Sequence, residues 1–238
     1  MNDPHNLPPF TKALLDFAKE ARDDFCTPGP HSGALFEEIP EGRAFVSSLG
    51  EGAFTADISD SSSVIGDPSS HEGVSGEAEA LAASVYGSDR CFFVLGGTSA
   101  SNRIAISALV SEGDLILFDR NNHKSSSQAA LAAAGGLPVY LASERNESGI
   151  IGGLTEETLD PVRLREKAAR LSPDAGKKQH PYRLACLQLS TYDGLFLNAR
   201  ELLHRIGSLC DYILFDGAWA GYENFLPLLC DSAVLTFP

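Results

Sequence analysis

Three short polar clusters carry residue types on which chemistry can be built, and each follows a run of apolar residues. Gly96-Gly97-Thr98-Ser99 follows Cys91–Leu95 and opens a helical pattern. Glycines allow close backbone approach, the first N–H groups of a helix point outward, and the helix dipole favours an anion. The hydroxyls of Thr98 and Ser99 add donors. An ordinary tight turn with an N-cap asks for the same residues. The cluster is neither a P-loop nor the G-x-G-x-x-G dinucleotide fingerprint. The second cluster, Asp119-Arg120-Asn121-Asn122-His123-Lys124-Ser125, follows Leu115–Phe118. A histidine there can stack on a planar ligand or move a proton, or it can be a hydrogen-bonded loop residue. The third is Phe215-Asp216-Gly217-Ala218-Trp219. An aspartate closing an apolar strand is costly to bury unless a cation meets it. A protonated pyridinium nitrogen is one such partner, and one of the twelve arginines is another.

These clusters need strands and helices to aim them, and from residue 76 the pattern is regular. Helices are expected at Glu77–Tyr86, Thr98–Val110, Lys124–Ala134, near Pro161–Leu171, and at Ala199–Leu209. Strands are expected at Cys91–Leu95, Leu115–Phe118, Leu137–Leu141, Arg183–Leu189 and Tyr212–Phe215, the last ending in Asp216. Alternating short apolar strands and longer helices indicate βαβ units and a mainly parallel sheet. Ligands bind such sheets beyond the carboxyl ends of the strands, where all three clusters fall. Upstream, Phe10–Arg22 has helical apolar spacing. A Gly-, Pro- and Ser-rich stretch then runs to about residue 75. Its length and its recurring Phe36, Phe45, Phe54, Val64 and Ile65 suggest a functional loop. The expected division is therefore residues 1–75, a helix and extended linker, and residues 76–238, part of a larger ligand-binding domain.

Composition narrows the classes. The 238 residues are 43% hydrophobic and 21% charged, enough for a substantial core and unlike a disordered chain. A net charge of −14 argues against nucleic acid, whose phosphates call for a basic face. The acidic balance suits a cationic small molecule, and it suits mere solubility as well. Five scattered cysteines without a C-x-x-C pair argue against a disulfide framework and a structural zinc site, so no metal is expected. No stretch approaches the roughly 20 apolar residues of a membrane span, and the N-terminus lacks a signal-peptide apolar run. A cytoplasmic location without membrane partners is expected.

Taken together, the segments FFVLGGTSASN, LILFDRNNHKS, GLPVYLASERNESGIIGG, STYDGLFLN and LFDGAWAGYENFLP resemble the bacterial Orn/Lys/Arg decarboxylases of pyridoxal-phosphate (PLP) fold type I. The upstream TPGPHSGALF, PEGRAF and GDPSSHEG fit the same family. The stretch from residue 180 to 219 looks most like its inducible ornithine branch. The resemblance implies an α/β fold of the PLP-dependent transferase type: a large domain with a mainly parallel sheet flanked by helices, incomplete at the C-terminus. It implies that Thr98 and Ser99 hold the cofactor phosphate, that His123 stacks on the pyridine ring, and that Asp216 pairs with the ring nitrogen. Ala218 and Trp219 would line the pocket, and Thr191 would sit near the phenolic oxygen. The implied reaction is decarboxylation of a basic amino acid, ornithine to putrescine first, in a homodimer or larger homo-oligomer.

The sequence departs from the family at three points. An extra proline, Pro30, interrupts the family's TPGH pattern and puts a role for His31 in doubt. Gly96 stands where an asparagine is common. The Schiff-base lysine of a Ser-x-His-Lys motif is absent from these residues. The chain alone is therefore expected to decarboxylate nothing, as an incomplete reading frame or as a non-catalytic partner of full-length subunits. Lys124, next to His123, is expected to point away from the ring, since neighbouring helical residues diverge by roughly 100°.

Overall fold

The computed structural model describes residues 7–20, 25, 27, 29, 31–58, 65–67, 69–119 and 122–229. The chain divides into two compact units, Met1–Phe93 and Val94–Pro238, so the division falls later than the expected boundary between residues 75 and 76.

The first unit contains α1 (Pro9–Lys19), α2 (Pro40–Leu49), α3 (Glu51–Thr55) and α4 (Gly73–Tyr86). Residues 31–58, expected as part of an extended and functional loop, are largely helical. A 3-10 stretch over His31–Glu38 precedes α2, and Phe36, Phe45 and Phe54 pack on one another with ring centroids 5.6 to 5.8 Å apart. Gly33, at φ +85°, lies where a Cβ would press on Phe54 at 3.3 Å. The three phenylalanines that recur through this segment thus form an aromatic cluster in which Phe54 is buried and Phe36 and Phe45 stay partly exposed; Val64 lies outside the described residues.

One expected strand is not formed. Cys91–Leu95 has strand-like composition but joins no ladder among the described residues. The Phe93 N–H goes instead to the buried Glu79 carboxylate at 2.9 Å, and the Phe92 ring stands edge-on to His71, 5.1 Å away. An apolar run becomes a strand only if a neighbouring strand takes its backbone donors. Here a side chain takes one of them.

The second unit is built on a four-stranded sheet in the order β2 (Leu137–Leu141), β1 (Leu115–Asp119), β5 (Tyr182–Gln188), β6 (Cys210–Asp216), and every pairing is parallel. A separate antiparallel pair joins β3 (Ser143–Arg145) to β4 (Ile151–Leu154). Strand β1 is buried along its whole length, as a parallel strand covered on both faces should be. Alternate residues point to opposite faces. Ile116, Phe118, Leu184 and Cys186 pack with Ile106 of α5 (Gly97–Leu109), with Val110 just after that helix, and with Ala129 and Ala130. On the other face, Leu117, Ala185 and Leu187 pack with Leu164 and Ala168 of α7 (Pro161–Leu171) and with Leu202 and Ile206 of α9 (Ala199–Ile206).

Two helical details differ from expectation. The segment after His123 makes one α turn, α6 (Lys124–Ser127), then a π-helical stretch over Gln128–Ala133 rather than a continuous α-helix. The Ala134 N–H bonds to the Ala129 carbonyl and the Gly136 N–H to the Ala130 carbonyl. Gly136 has no room for a side chain, since its Cβ would come within 2.4 Å of Ile116 Cδ1. The polar loop after α7 contains a further short turn, α8 (Pro173–Gly176).

Candidate functional site

The sheet order has a functional consequence. From β1 the chain crosses to β2 on one side, whereas β5 is followed by β6 on the other side. The strand order therefore reverses between β1 and β5, and such a switch point opens a crevice beyond the carboxyl ends of the strands. A cavity of about 740 Å³ lies there.

Every strand end at the switch point contributes to the cavity. Asn122, His123 and Lys124 follow β1; Gln188, Ser190 and Tyr192 close or follow β5; Asp216, Ala218 and Trp219 close or follow β6. The amino end of α5 brings Gly96, Gly97, Thr98 and Ser99. No side chain caps that helix: the Gly97 N–H goes to the Val94 carbonyl at 3.2 Å, and no capping side chain takes the N–H groups that follow it. Gly97 takes φ +71°, a left-handed conformation that an L side chain adopts only at a cost.

Asp216 is 2% exposed. Its Oδ2 accepts from Asn102 Nδ2 at 2.8 Å and its Oδ1 from the Ala218 backbone N–H at 3.2 Å. No lysine or arginine pairs with it among the described residues. A buried carboxylate that meets donors but no cation is an incomplete electrostatic arrangement. His123 is the N-cap of α6 and accepts the Ser125 N–H on Nδ1, 3.3 Å away, with Ser125 Oγ 2.9 Å from the same nitrogen. Asn122 ties the β1 and β5 ends together, donating to the Asp119 and Cys186 carbonyls at 2.9 and 2.7 Å.

The structure thus gathers Thr98, Ser99, His123, Asp216, Ala218 and Trp219 around one cavity. Thr191 does not line it. Its Oγ1 accepts the Leu195 N–H at 3.3 Å and closes the turn that follows β5. Its neighbours Ser190 and Tyr192 line the cavity instead. Ser190 is 3% exposed, and its hydroxyl has no partner among the described residues. Lys124 also lines the cavity, contrary to the expectation that it turns away. The 100° step applies between two helical residues, and His123 is extended, at φ −63° and ψ 146°. Sequence reasoning gave no role to Asn102, Ser125 or Gln188. Asn102 stands three and four residues after Ser99 and Thr98, so helical spacing alone put it on their face.

A family model described as "Orn/Lys/Arg decarboxylase, major domain" matches residues 8–237. The chain belongs to the Orn/Lys/Arg decarboxylase family. It is 48% identical to the inducible ornithine decarboxylase of Lactobacillus sp. (strain 30a) and 46% identical to that of Escherichia coli (strain K12), covering 96% of this chain and 31% of each relative. Against the Pseudomonas aeruginosa lysine decarboxylase LdcA the identity is 37%, over 92% of the chain and 29% of the relative. The crystal structure of the Francisella novicida lysine decarboxylase LdcF superposes with a TM-score of 0.88 at 31% identity, over 98% of this chain and 32% of that one. The α/β fold with its helix-flanked parallel sheet is thus the decarboxylase fold, and the chain spans about a third of the length of these relatives.

Proposed function

We propose that this chain forms the cofactor face of a PLP-dependent decarboxylase for basic amino acids. Ornithine, giving putrescine, is its first substrate, followed by lysine and then arginine. Asp216 carries the reading: it is a buried carboxylate without a cation among the described residues, at the edge of a switch-point cavity. A protonated pyridine nitrogen is a cation of the right size and flatness. The rest of the cavity fits the same group. The uncapped amino end of α5, with the Thr98 and Ser99 hydroxyls, suits a phosphate. The Ser190 hydroxyl, without a partner among the described residues, asks for a polar ligand atom, and the Thr191 turn presents it. His123, Ala218 and Trp219 offer surfaces for a planar ring. The ornithine ranking rests on likeness, since relatives named ornithine decarboxylases are 42–48% identical and those named lysine or arginine decarboxylases 35–37%.

When bound, the cofactor supplies an electron sink for the pair left as carbon dioxide departs. Asp216 keeps a proton on the ring nitrogen, and the Asn102 and Ala218 N–H groups hold its carboxylate in place. His123 supports one ring face, while Thr98 and Ser99 fix the distal anchor. The intact enzyme works as a homodimer or larger homo-oligomer in the cytoplasm. The 238 residues alone are proposed to be inactive, because they contain no Ser-x-His-Lys, and Lys124 stands in Asn-Asn-His-Lys.

The test is an exchange of residues 8–237 for the matching segment of the Lactobacillus enzyme. The chimera should bind PLP and release CO₂ from ornithine with a higher kcat/KM than from lysine or arginine. The 238-residue chain should release none. A folded chimera that binds no PLP overturns the cofactor reading. CO₂ release by the chain alone, with a stoichiometric borohydride-fixed adduct on Lys124, overturns the proposed inactivity.

A further inference from the structure

Asp216 and His123 approach the cavity from different strand ends, yet one buried side chain serves both. Asn102, on α5, is 4% exposed. Its Nδ2 lies 2.8 Å from Asp216 Oδ2 and 3.3 Å from Ser125 Oγ. A side-chain amide nitrogen has two protons and accepts nothing, so both contacts are donations and both protons are used. The opposite amide orientation would set the Asn102 carbonyl oxygen against the Asp216 carboxylate, which excludes it.

The direction then propagates. Ser125, 1% exposed, accepts from Asn102 on its hydroxyl oxygen and keeps its own proton to give. His123 Nδ1 lies 2.9 Å from that hydroxyl. The Ser125 backbone N–H, which can only donate, is 3.3 Å from the same Nδ1. Two donors converge on Nδ1, so it must present its lone pair. A neutral imidazole carries its proton on the other nitrogen in that case.

We propose that Asn102 is a positioning residue: through Ser125 it sets His123 as the Nε2–H tautomer, while its second proton sets the rotation of the Asp216 carboxylate. The consequence for cofactor binding rests on the function proposed above. The arrangement itself does not. Its role is to present a ring-nitrogen acceptor and an imidazole donor in one fixed geometry before any ligand arrives, so that neither group has to reorient on binding.

The experiment uses the ¹⁵N-labelled 238-residue chain without cofactor. Long-range ¹H–¹⁵N spectra of the imidazoles, with His123 assigned by its loss in His123→Gln, should show the Nε2–H pattern. Asn102→Asp keeps the shape and replaces donors by acceptors. The Ser125 hydroxyl should then turn toward residue 102, and an Nδ1–H population should appear at His123. Ser125→Ala, which removes the relay and leaves the Asn102–Asp216 contact, should also alter the His123 pattern. Titrations supply the second readout. Asn102→Ala should weaken PLP about tenfold, the loss of one hydrogen bond to a charged group, and leave inorganic phosphate affinity unchanged. A purely structural residue would move both affinities together. An Nδ1–H His123 in the unaltered chain overturns the proposal even if PLP binds. Failure of PLP to bind beside an intact Nε2–H pattern sinks the cofactor reading and leaves the positioning role standing. If Asn102→Ala does not fold, the unaltered chain and Ser125→Ala decide.

Discussion

Replacing Asp216 by asparagine separates a carboxylate kept for a ligand from one that holds the fold. In the free chain the carboxylate receives one N–H from Asn102 and one from Ala218, and no lysine or arginine meets it among the described residues. An asparagine at 216 has a single acceptor oxygen and satisfies only one of those donors. The folding cost is then about one hydrogen bond, roughly 1 kcal/mol, partly offset by removing a buried charge. If Asp216 were half of a buried ion pair, the same change would cost about 3–5 kcal/mol. Ligand binding should respond in the opposite proportion. A hydrogen bond between a carboxylate and a charged ring nitrogen contributes about 1.5–3 kcal/mol, which is a factor of about 10 to 150 in Kd at 1.4 kcal/mol per decade. The assay is built into the site. Trp219 is the only tryptophan, lines the cavity, and stands edge-on to Tyr192 at 5.8 Å. PLP titration followed by Trp219 fluorescence gives Kd, and urea unfolding gives stability. Wild-type-like PLP affinity in Asp216→Asn, or a stability loss of about 3 kcal/mol or more, would refute the reasoning.

Three further outcomes follow from particular residues. Thr98→Ala with Ser99→Ala should weaken PLP and inorganic phosphate alike, by about tenfold per lost hydrogen bond, with unchanged urea midpoints; a loss confined to PLP would place the phosphate elsewhere. Burial pushes the Cys186 and Cys210 thiols up to about 12, so of the three described free cysteines only Cys91 should react with iodoacetamide at pH 8. Peptide mapping that finds Cys186 or Cys210 alkylated in the folded chain contradicts this. Burial also raises the Glu223 carboxyl above its ordinary value. The folded chain then holds that proton more tightly than the unfolded one, so the Glu223 contribution to stability falls as pH rises from the ordinary value through the raised one. Glu223→Gln should therefore gain on the wild type in urea midpoint between pH 4 and pH 7, and a constant difference across that range would disprove the assignment.

Local pattern by itself determined the four strands of the parallel sheet, β1, β2, β5 and β6, and the helices α7 and α9, because short apolar runs and period-3.6 spacing are written in consecutive residues. The short antiparallel pair β3 and β4 carries no such run and was not foreseen. It also marked the three clusters, since a polar residue at the end of an apolar strand is conspicuous wherever the strand packs. The run Cys91–Leu95 shows the limit of that evidence. Its composition is that of a strand, but a ladder needs a neighbour, and Glu79 is the group that takes the Phe93 N–H. Serine and threonine at 190 and 191 are equivalent donors in sequence. Only the turn after β5 turns one hydroxyl to Leu195 and leaves the other buried at the cavity. Lys124 lines the cavity because His123 is extended, a backbone state that the residue types do not specify. The Asn102–Asp216 contact joins residues 114 apart. No local pattern encodes it, since it exists only once α5 packs on the face of the sheet whose far edge carries β6. The sequence held the chemical groups and their strand ends; the reversal of strand order between β1 and β5 decided that they share one cavity.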